Sequence, residues 1–386
     1  MKKWIILTMS FVLATIFGLQ FLPNSVVAVS APKINTSDKA CIIMDYHSGE
    51  VVHEQNADKK LQVASIVKLM TTLLTIESIE KGNISLTDKM TTTENSAGMG
   101  GSQVFIDPFV EYTVEQMLQS VIVASANDAS VALAEFIAGS EENFVAKMNK
   151  RAKELGLTNT LYANATGLPA PEEYSTARDV ALLLKEVINH KIYRDYSTIW
   201  MTELTHPSGR KTEVVNTNKL VRYYKGCDGG KTGFTDEAGY CLAATAERDN
   251  MRFIVVSLGA KDSKTRFSNV STLFNYAFAN YQNTHLVSKD KPMAQIEVKM
   301  GKQKQADVFA KQDYYALTQK GEQIKYEITT DMPSSIKAPL HVGDVVGKLT
   351  ITKQGKVVAE IDLIVNQNYD KLTLKDSFKD VVSHWN

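Results

Sequence analysis

A serine and a lysine one helical turn apart, set inside apolar sequence, constrain this chain more than any other feature. Val63-Ala64-Ser65-Ile66-Val67-Lys68-Leu69-Met70 opens an apolar segment that runs through Leu74 and Ile76. On a helix, residues three apart share a face, so Ser65 and Lys68 lie side by side. A serine hydroxyl is a poor nucleophile at neutral pH and needs a base within hydrogen-bond reach. An amine serves only when neutral, so its usual pKa of about 10.4 must fall through burial or nearby positive charge. Val63, Ile66, Val67, Leu69 and Met70 supply an apolar setting for that fall. Alone, the pair carries little weight, because S-x-x-K also arises by chance on exposed helix faces.

Two further stretches turn the pair into a pattern. Val123-Ala124-Ser125-Ala126-Asn127-Asp128 is a polar knot that follows the apolar Met117, Leu118, Val121 and Ile122. Gly229-Gly230-Lys231-Thr232-Gly233-Phe234-Thr235 is a glycine-flanked Lys-Thr-Gly ahead of strand-like sequence. S-x-x-K, then S-x-N, then K-T-G is the order found in penicillin-binding proteins and class A β-lactamases, here with Ser-Ala-Asn in place of S-D-N. Each tripeptide is weak evidence; the ordered trio is strong. The chain resembles the low-molecular-mass penicillin-binding proteins that act as serine-type D-alanyl-D-alanine carboxypeptidases. The resemblance runs from about Ala31 to the C-terminus. It also takes in Gly101-Ser102-Gln103-Val104-Phe105, Tyr162 to Leu168, Tyr174 to Asp179, Asn216 to Leu220 and Thr235 to Tyr240.

The 386 residues suffice for two or three domains. Lys plus Arg number 43 and Asp plus Glu 43, so there is no basic excess of the kind a nucleic-acid binder carries. Residues 1–31 read as an export signal: Lys2 and Lys3, then an apolar run from Trp4 to Phe21, then Pro23 and small residues at Ala28, Ser30 and Ala31. An uncleaved anchor is the other reading of that run. Residues 32–283 are expected to form an α+β domain. Strand-like runs at Lys39–His53, Ala238–Glu247 and Met251–Ala260 bracket helical segments, which points to one antiparallel sheet with helices on both faces. The resemblance implies the same, the β-lactamase/transpeptidase fold. Residues 290–368 carry short alternating runs expected to form a small all-β sandwich. Over residues 369–386, Leu374, Phe378, Val381, Val382 and Trp385 fall on one stripe, expected to be an amphipathic membrane-anchor helix. Cys41, Cys227 and Cys241 form no disulfide or zinc spacing. For Cys227 and Cys241, a bridge and an oxidisable thiol near the site both stay open.

The resemblance implies a role for each site residue. Ser65 attacks the carbonyl of the penultimate D-alanine, Lys68 is its base, and Ser125 relays a proton to the leaving amine. Asn127 holds the substrate amide and Lys68. Lys231 adds positive charge that lowers the pKa of Lys68 and, with Thr232, attracts the terminal carboxylate. Gly233 lets the substrate approach the strand, and the amides of Ser65 and Phe234 form the oxyanion hole. Arg266 falls where the family places a carboxylate-binding arginine. Phe234 departs from relatives that carry histidine there, and Gly230 and Cys227 make the approach to Lys231 unusual. None of the seven histidines is expected to be catalytic. No metal or cofactor is implied. The implied partners are D-Ala-D-Ala stem peptides, β-lactams as covalent inhibitors, and the outer face of a bacterial cytoplasmic membrane. Two rivals share the trio. A β-lactamase would need a glutamate-activated water, yet Tyr162–Leu168 offers Asn164 and no Glu, while Glu172 and Glu173 read as loop surface. A penicillin-sensing or wall-binding module would carry a vestigial Ser65. Endopeptidase action on cross-links uses the same bond type and stays open.

Overall fold

The computed structural model describes residues 34–322 and 324–373. The export segment and the stripe from Leu374 to Trp385 lie outside them. Strands β1 (Ala40–Asp45) and β2 (Val51–Gln55) form the expected hairpin. A 3-10 turn (Ala64–Val67) runs directly into helix α1 (Lys68–Glu80). Strand β3 (Lys89–Thr91), helix α2 (Glu94–Ala97) and strand β4 (Glu111–Thr113) follow. Helix α3 (Val114–Gln119) starts at a capping box on Thr113 and passes into a π turn (Ser120–Ala124). Helices α4 (Asn127–Ala138), α5 (Glu141–Glu154), α6 (Ala177–Val187) and α7 (Lys191–Ser197) come next. Then come β5 (Met201–Thr205), β6 (Lys211–Val215) and α8 (Leu220–Tyr223). Strands β7 (Cys227–Thr235), β8 (Gly239–Arg248) and β9 (Met251–Ala260) and helix α9 (Ser263–Asn280) complete the α+β part.

The sheet runs β2-β1-β9-β8-β7, every neighbour antiparallel. The first and last strands of the sheet in chain order therefore meet near its centre, β1 beside β9. All ten residues of β9 are buried, as a strand covered on both faces requires. Alternation divides the strands between two cores. Ile42, Ala243, Ile254 and Val256 pack toward α1 and α6. Ile43, Leu242, Phe253 and Val255 pack toward Val270, Leu273 and Phe274 of α9. Strand β7 is an edge, so one side of its main chain is left for something other than the sheet.

The second part is all β. A six-stranded sheet has the order β14 (Tyr326–Asp331), β16 (Val345–Lys353), β17 (Lys356–Val365), β12 (Gln305–Ala310), β11 (Pro292–Lys299), β15 (Ser335–Lys337). A two-stranded ribbon pairs β10 (Tyr281–Val287) with β13 (Tyr314–Gln319). Strand β10 follows α9 without a linker, so it crosses the boundary expected between residues 283 and 290. The ribbon reaches both cores: Leu317 packs with Leu242 and Phe274, and Val287 with Leu363 and Ile296. At the far end Tyr369 is buried and exchanges main-chain bonds with Leu340 (2.9 and 3.0 Å), and Lys371 bridges to Gly301. Residues 369–371 thus close the β part, and the helix expected from 369 does not begin there. Both flanking residues are held by a ladder that a helical turn would break.

Candidate active site

One wall of the site is the turn that carries Ser65. Ala64 adopts φ +50°, a region that costs an L-residue roughly 1–2 kcal/mol and that gathers at functional positions. Two glycines close on this turn. A Cβ on Gly167 (φ +75°) would stand 2.1 Å from the Ala64 carbonyl oxygen and 2.9 Å from the Ser65 nitrogen. One on Gly233 would stand 2.5 Å from the Val63 oxygen. Neither position has room for a side chain, so β7 and the loop before α6 both reach the Ser65 main chain.

Lys68 is fully buried at the first position of α1. Its Nζ lies 3.0 Å from Ser65 Oγ, 2.6 Å from Asn127 Oδ1 and 2.5 Å from the Thr166 carbonyl oxygen. A neutral amine has two N–H groups and one lone pair. With Asn127 Oδ1 and the Thr166 oxygen as acceptors only, the lone pair is left for the Ser65 hydroxyl. Burial brings the Lys68 pKa down to about 7, against the opposing charges of Glu173 and Asp128. Burial, rather than the expected charge of Lys231, is the leading cause.

The opposite wall is set by the π turn, which ends at Ser125 in the left-handed conformation (φ 65°, ψ 31°). Lys231 Nζ donates to Ser125 Oγ at 2.7 Å and to the Thr232 carbonyl at 2.8 Å. Burial first, then the charges of Lys68 and Arg266, hold the Lys231 amine well below its ordinary pKa. Because Ser125 Oγ accepts from Lys231, its own hydrogen is free to point elsewhere. Asn127 is fixed by its amide on the Ser102 carbonyl (2.7 Å) and by Nδ2 on the Gly100 carbonyl (2.6 Å). The Thr232 hydroxyl donates to Thr217 Oγ1 at 2.8 Å, and the Thr217 amide to the Val123 carbonyl, which ties β7 to the π turn. Phe234 is 49% exposed and its ring lies 4.3 Å from that of Tyr240.

Arg266 meets the other predicted residues at the Gly233 main chain and through its charge on Lys231. It is buried at the start of α9, with Nη1 on the carbonyls of Gly233 (3.1 Å) and Cys241 (3.3 Å) and its guanidinium over the Tyr240 and Phe267 rings. It ties β7 to β8 through these carbonyls, and its Nε has no hydrogen-bond partner among the described residues. The approach to Lys231 is firmly held. The Gly230 amide donates to the Tyr193 hydroxyl (3.1 Å), and a Cβ on Gly230 would meet the Ala243 oxygen at 2.2 Å.

Several contributors escaped the sequence. The Thr166 carbonyl and the Tyr193 hydroxyl act through contacts that no local motif announces. Asp128 accepts from the amides of Val104, Ile106 and Ala129 and so fixes the segment beside Asn127. An acidic residue in the first turn of a helix was the available signal. Glu173 corrects an expectation: Glu172 is exposed, but Glu173 is buried under the Tyr162–Gly167 loop. The cysteines correct another. All three are free and buried, and burial raises the thiol pKa of Cys227 to about 12 and of Cys241 to about 11, so neither an oxidisable thiolate nor a bridge is present. Far from Ser65, Glu77, Glu186 and His190 bring ligand atoms within 4.8 Å of one another. Arg151 already occupies those carboxylates at 2.8 and 2.9 Å.

A family model for D-alanyl-D-alanine carboxypeptidases matches residues 25–262, and one for the C-terminal domain of penicillin-binding protein 5 matches residues 281–371. The D-alanyl-D-alanine carboxypeptidase DacF of Bacillus subtilis is 40% identical over 350 residues, covering 90% of each chain. The crystal structure of penicillin-binding protein 5 from Haemophilus influenzae aligns with a TM-score of 0.72 at 30% identity, over 88% of this chain and 99% of that one. Penicillin-binding protein D2 of Listeria monocytogenes, solved in an ampicillin-bound form, aligns at 0.57 and 31% identity over 64% of this chain and all of its own.

Proposed function

We propose, from the premise that this chain belongs to the D-alanyl-D-alanine carboxypeptidase family, peptidase S11, that Ser65 is its nucleophile and Lys68 the base. The protein is a serine-type D-Ala-D-Ala carboxypeptidase of peptidoglycan synthesis and a penicillin-binding protein. The observation that carries the residue assignment is the buried Lys68 amine, with two acceptors fixed and its third direction on Ser65 Oγ at 3.0 Å.

Ser65 Oγ bonds to the carbonyl carbon of the penultimate D-alanine as its proton passes to Lys68 Nζ. The carbonyl oxygen gains charge and meets the amides of Ser65 and Phe234, pre-aimed donors that need no proton of their own. The C–N bond then breaks, and the leaving D-alanine amine takes the Ser125 hydroxyl proton, replaced from Lys68. Water completes the cycle by hydrolysing the acyl-enzyme. Lys231 and the Thr232 hydroxyl receive the terminal carboxylate, while Arg266, held on the Gly233 carbonyl, adds positive field. Asn127 orients the substrate amide. A β-lactam presents the same carbonyl and carboxylate and acylates Ser65, a reading supported by the ampicillin-bound Listeria relative.

The test is D-alanine release from a peptide ending in Lys-D-Ala-D-Ala. Release that penicillin blocks and that Ser65→Ala abolishes is expected. Unchanged release by Ser65→Ala would reject the nucleophile. Steady penicillin turnover as fast as peptide turnover would favour a β-lactamase instead. We also infer export and peripheral attachment to the outer face of the cytoplasmic membrane, from residues 1–31 and the apolar stripe from Leu374 to Trp385. No helix among the described residues is long and apolar enough to cross a membrane. Removing residues 374–386 is expected to shift the protein from the membrane fraction to the soluble one.

A further inference from the structure

Glu173 is a buried carboxyl for which the steps above have no use. It is 4% exposed. Its Oε2 accepts from the Ala163 amide at 3.3 Å, and the Asn164 amide donates to it as well. It forms no ion pair among the described residues, whereas a buried carboxylate ordinarily takes a cationic partner or gives up its charge. The cation that acts on it is Lys68. The two are also joined through the main chain. Glu173 holds Ala163 and Asn164, and Asn164 Oδ1 accepts from the amides of Thr166 (3.0 Å) and Gly167 (2.6 Å). The Thr166 carbonyl then carries Lys68 at 2.5 Å. From below, Thr71 of α1 donates to the Ala165 carbonyl at 2.7 Å.

We propose that Glu173 is a positioning residue for the base. It fixes the loop that presents the Thr166 carbonyl to Lys68, and its charge balances the ammonium formed when Lys68 takes the Ser65 proton. The inference rests on reading Lys68 as that base. In the acylation step the Ser65 O–H bond breaks, the electron pair goes to the substrate carbonyl carbon, and the proton goes to Lys68 Nζ. A positive charge thereby appears at a fully buried atom, where a neighbouring charge acts far more strongly than in water.

Of the other charged groups, Asp128 adds to the same effect on Lys68, and Glu141 of α5 holds the same loop at the Ala165 amide (2.9 Å). Lys231 on β7 and Arg266 on α9 are bases and cannot supply the negative charge that balances the new ammonium. Asp128 on α4 is negative, but its oxygens are taken by three main-chain amides. Around Glu173 itself, Tyr162 is a buried phenol, Asp179 of α6 is tied to Asn159 and Thr160, and the Lys60 ammonium sits over the Tyr174 ring at 4.3 Å. Burial also raises the Glu173 carboxyl to about 7, so it changes charge in the same pH range as Lys68.

The test is the pH dependence of kcat/KM for D-alanine release by the full chain, in wild type, Glu173→Gln and Glu173→Asp. Without the carboxylate, Lys68 holds its proton less tightly. The acidic limb of the Gln variant is therefore expected to move down by ~0.5–1 pH unit, with kcat reduced about tenfold and KM within about twofold. The Asp variant keeps the charge, so its limb should stay at the wild-type position while kcat falls. A folded Gln variant with an unmoved limb would overturn the proposal, leaving Glu173 as loop packing alone. Should the Gln variant not fold, an Asp variant whose limb moves as far would overturn it equally. Failure of the underlying base reading shows differently, as wild-type release by Lys68→Ala.

Discussion

At the scale of single residues, the site works because main chain stands where side chains cannot. Gly167→Ala would drive a Cβ to 2.1 Å from the Ala64 carbonyl oxygen at a φ of +75°. The expected result is a loss of about 2 kcal/mol or more in thermal unfolding and a fall in penicillin acylation of Ser65. Lys68 gives a pH prediction with a definite sign. The base must be neutral and its pKa is lowered to about 7, so acylation should climb as pH rises through that value and then level, well below the range of an ordinary lysine. A profile still climbing at pH 9 would contradict it. The buried thiols give a third: iodoacetamide should modify none of Cys41, Cys227 and Cys241 in the native protein and all three after unfolding. At this scale the sequence was most legible where chemistry is written in side chains at fixed spacing. Ser65, Lys68, Ser125, Asn127 and Lys231 converge as their motifs predict. It was least legible where burial decides. Glu172 and Glu173 are identical letters side by side, and only the fold exposes one and buries the other. The Thr166 carbonyl carries no side-chain signature at all.

At the scale of elements, the long apolar segments were readable and the short polar ones were not. The runs Met251–Ala260 and Ala238–Glu247 announce β9 and β8, because strands covered on both faces are nearly continuous in apolar residues. Strands β3, β4, β5 and β6 pair in isolated hairpins with mostly exposed residues. Strand β3 meets β4 across nineteen intervening residues and β5 meets β6 across five, and neither pair carries an apolar run that would mark it in advance. The segment of Val104 and Ile106 is similar: it has no regular structure and is held to α4 by the Asp128 carboxylate. Asp128→Ala leaves two or three buried amides without an acceptor, each at about 1–3 kcal/mol. The expected outcome is a stability loss of at least ~2 kcal/mol together with faster hydrogen exchange at the amides of Val104 and Ile106. Unchanged exchange there would show that the segment is held by other contacts.

At the scale of the whole molecule, the β10–β13 ribbon decides how far the two parts behave as one. Leu317, 2% exposed, packs into the core under α9. Leu317→Ala should cost about 2–4 kcal/mol and separate a single calorimetric transition into two, while D-alanine release per folded molecule stays the same. The walls of the site have a consequence at this scale too. Ala64 and Ser125, one on each wall, hold positive φ, so the fold is less stable than the same architecture with a relaxed cleft. Heat selection without a demand for activity would relax such positions first. Ala64→Gly is the simplest step, expected to add up to about 1 kcal/mol while Ser65 loses its preset approach. Laboratory evolution toward thermal hardiness would thus erode the catalyst from its cleft outward and leave the central sheet unaltered.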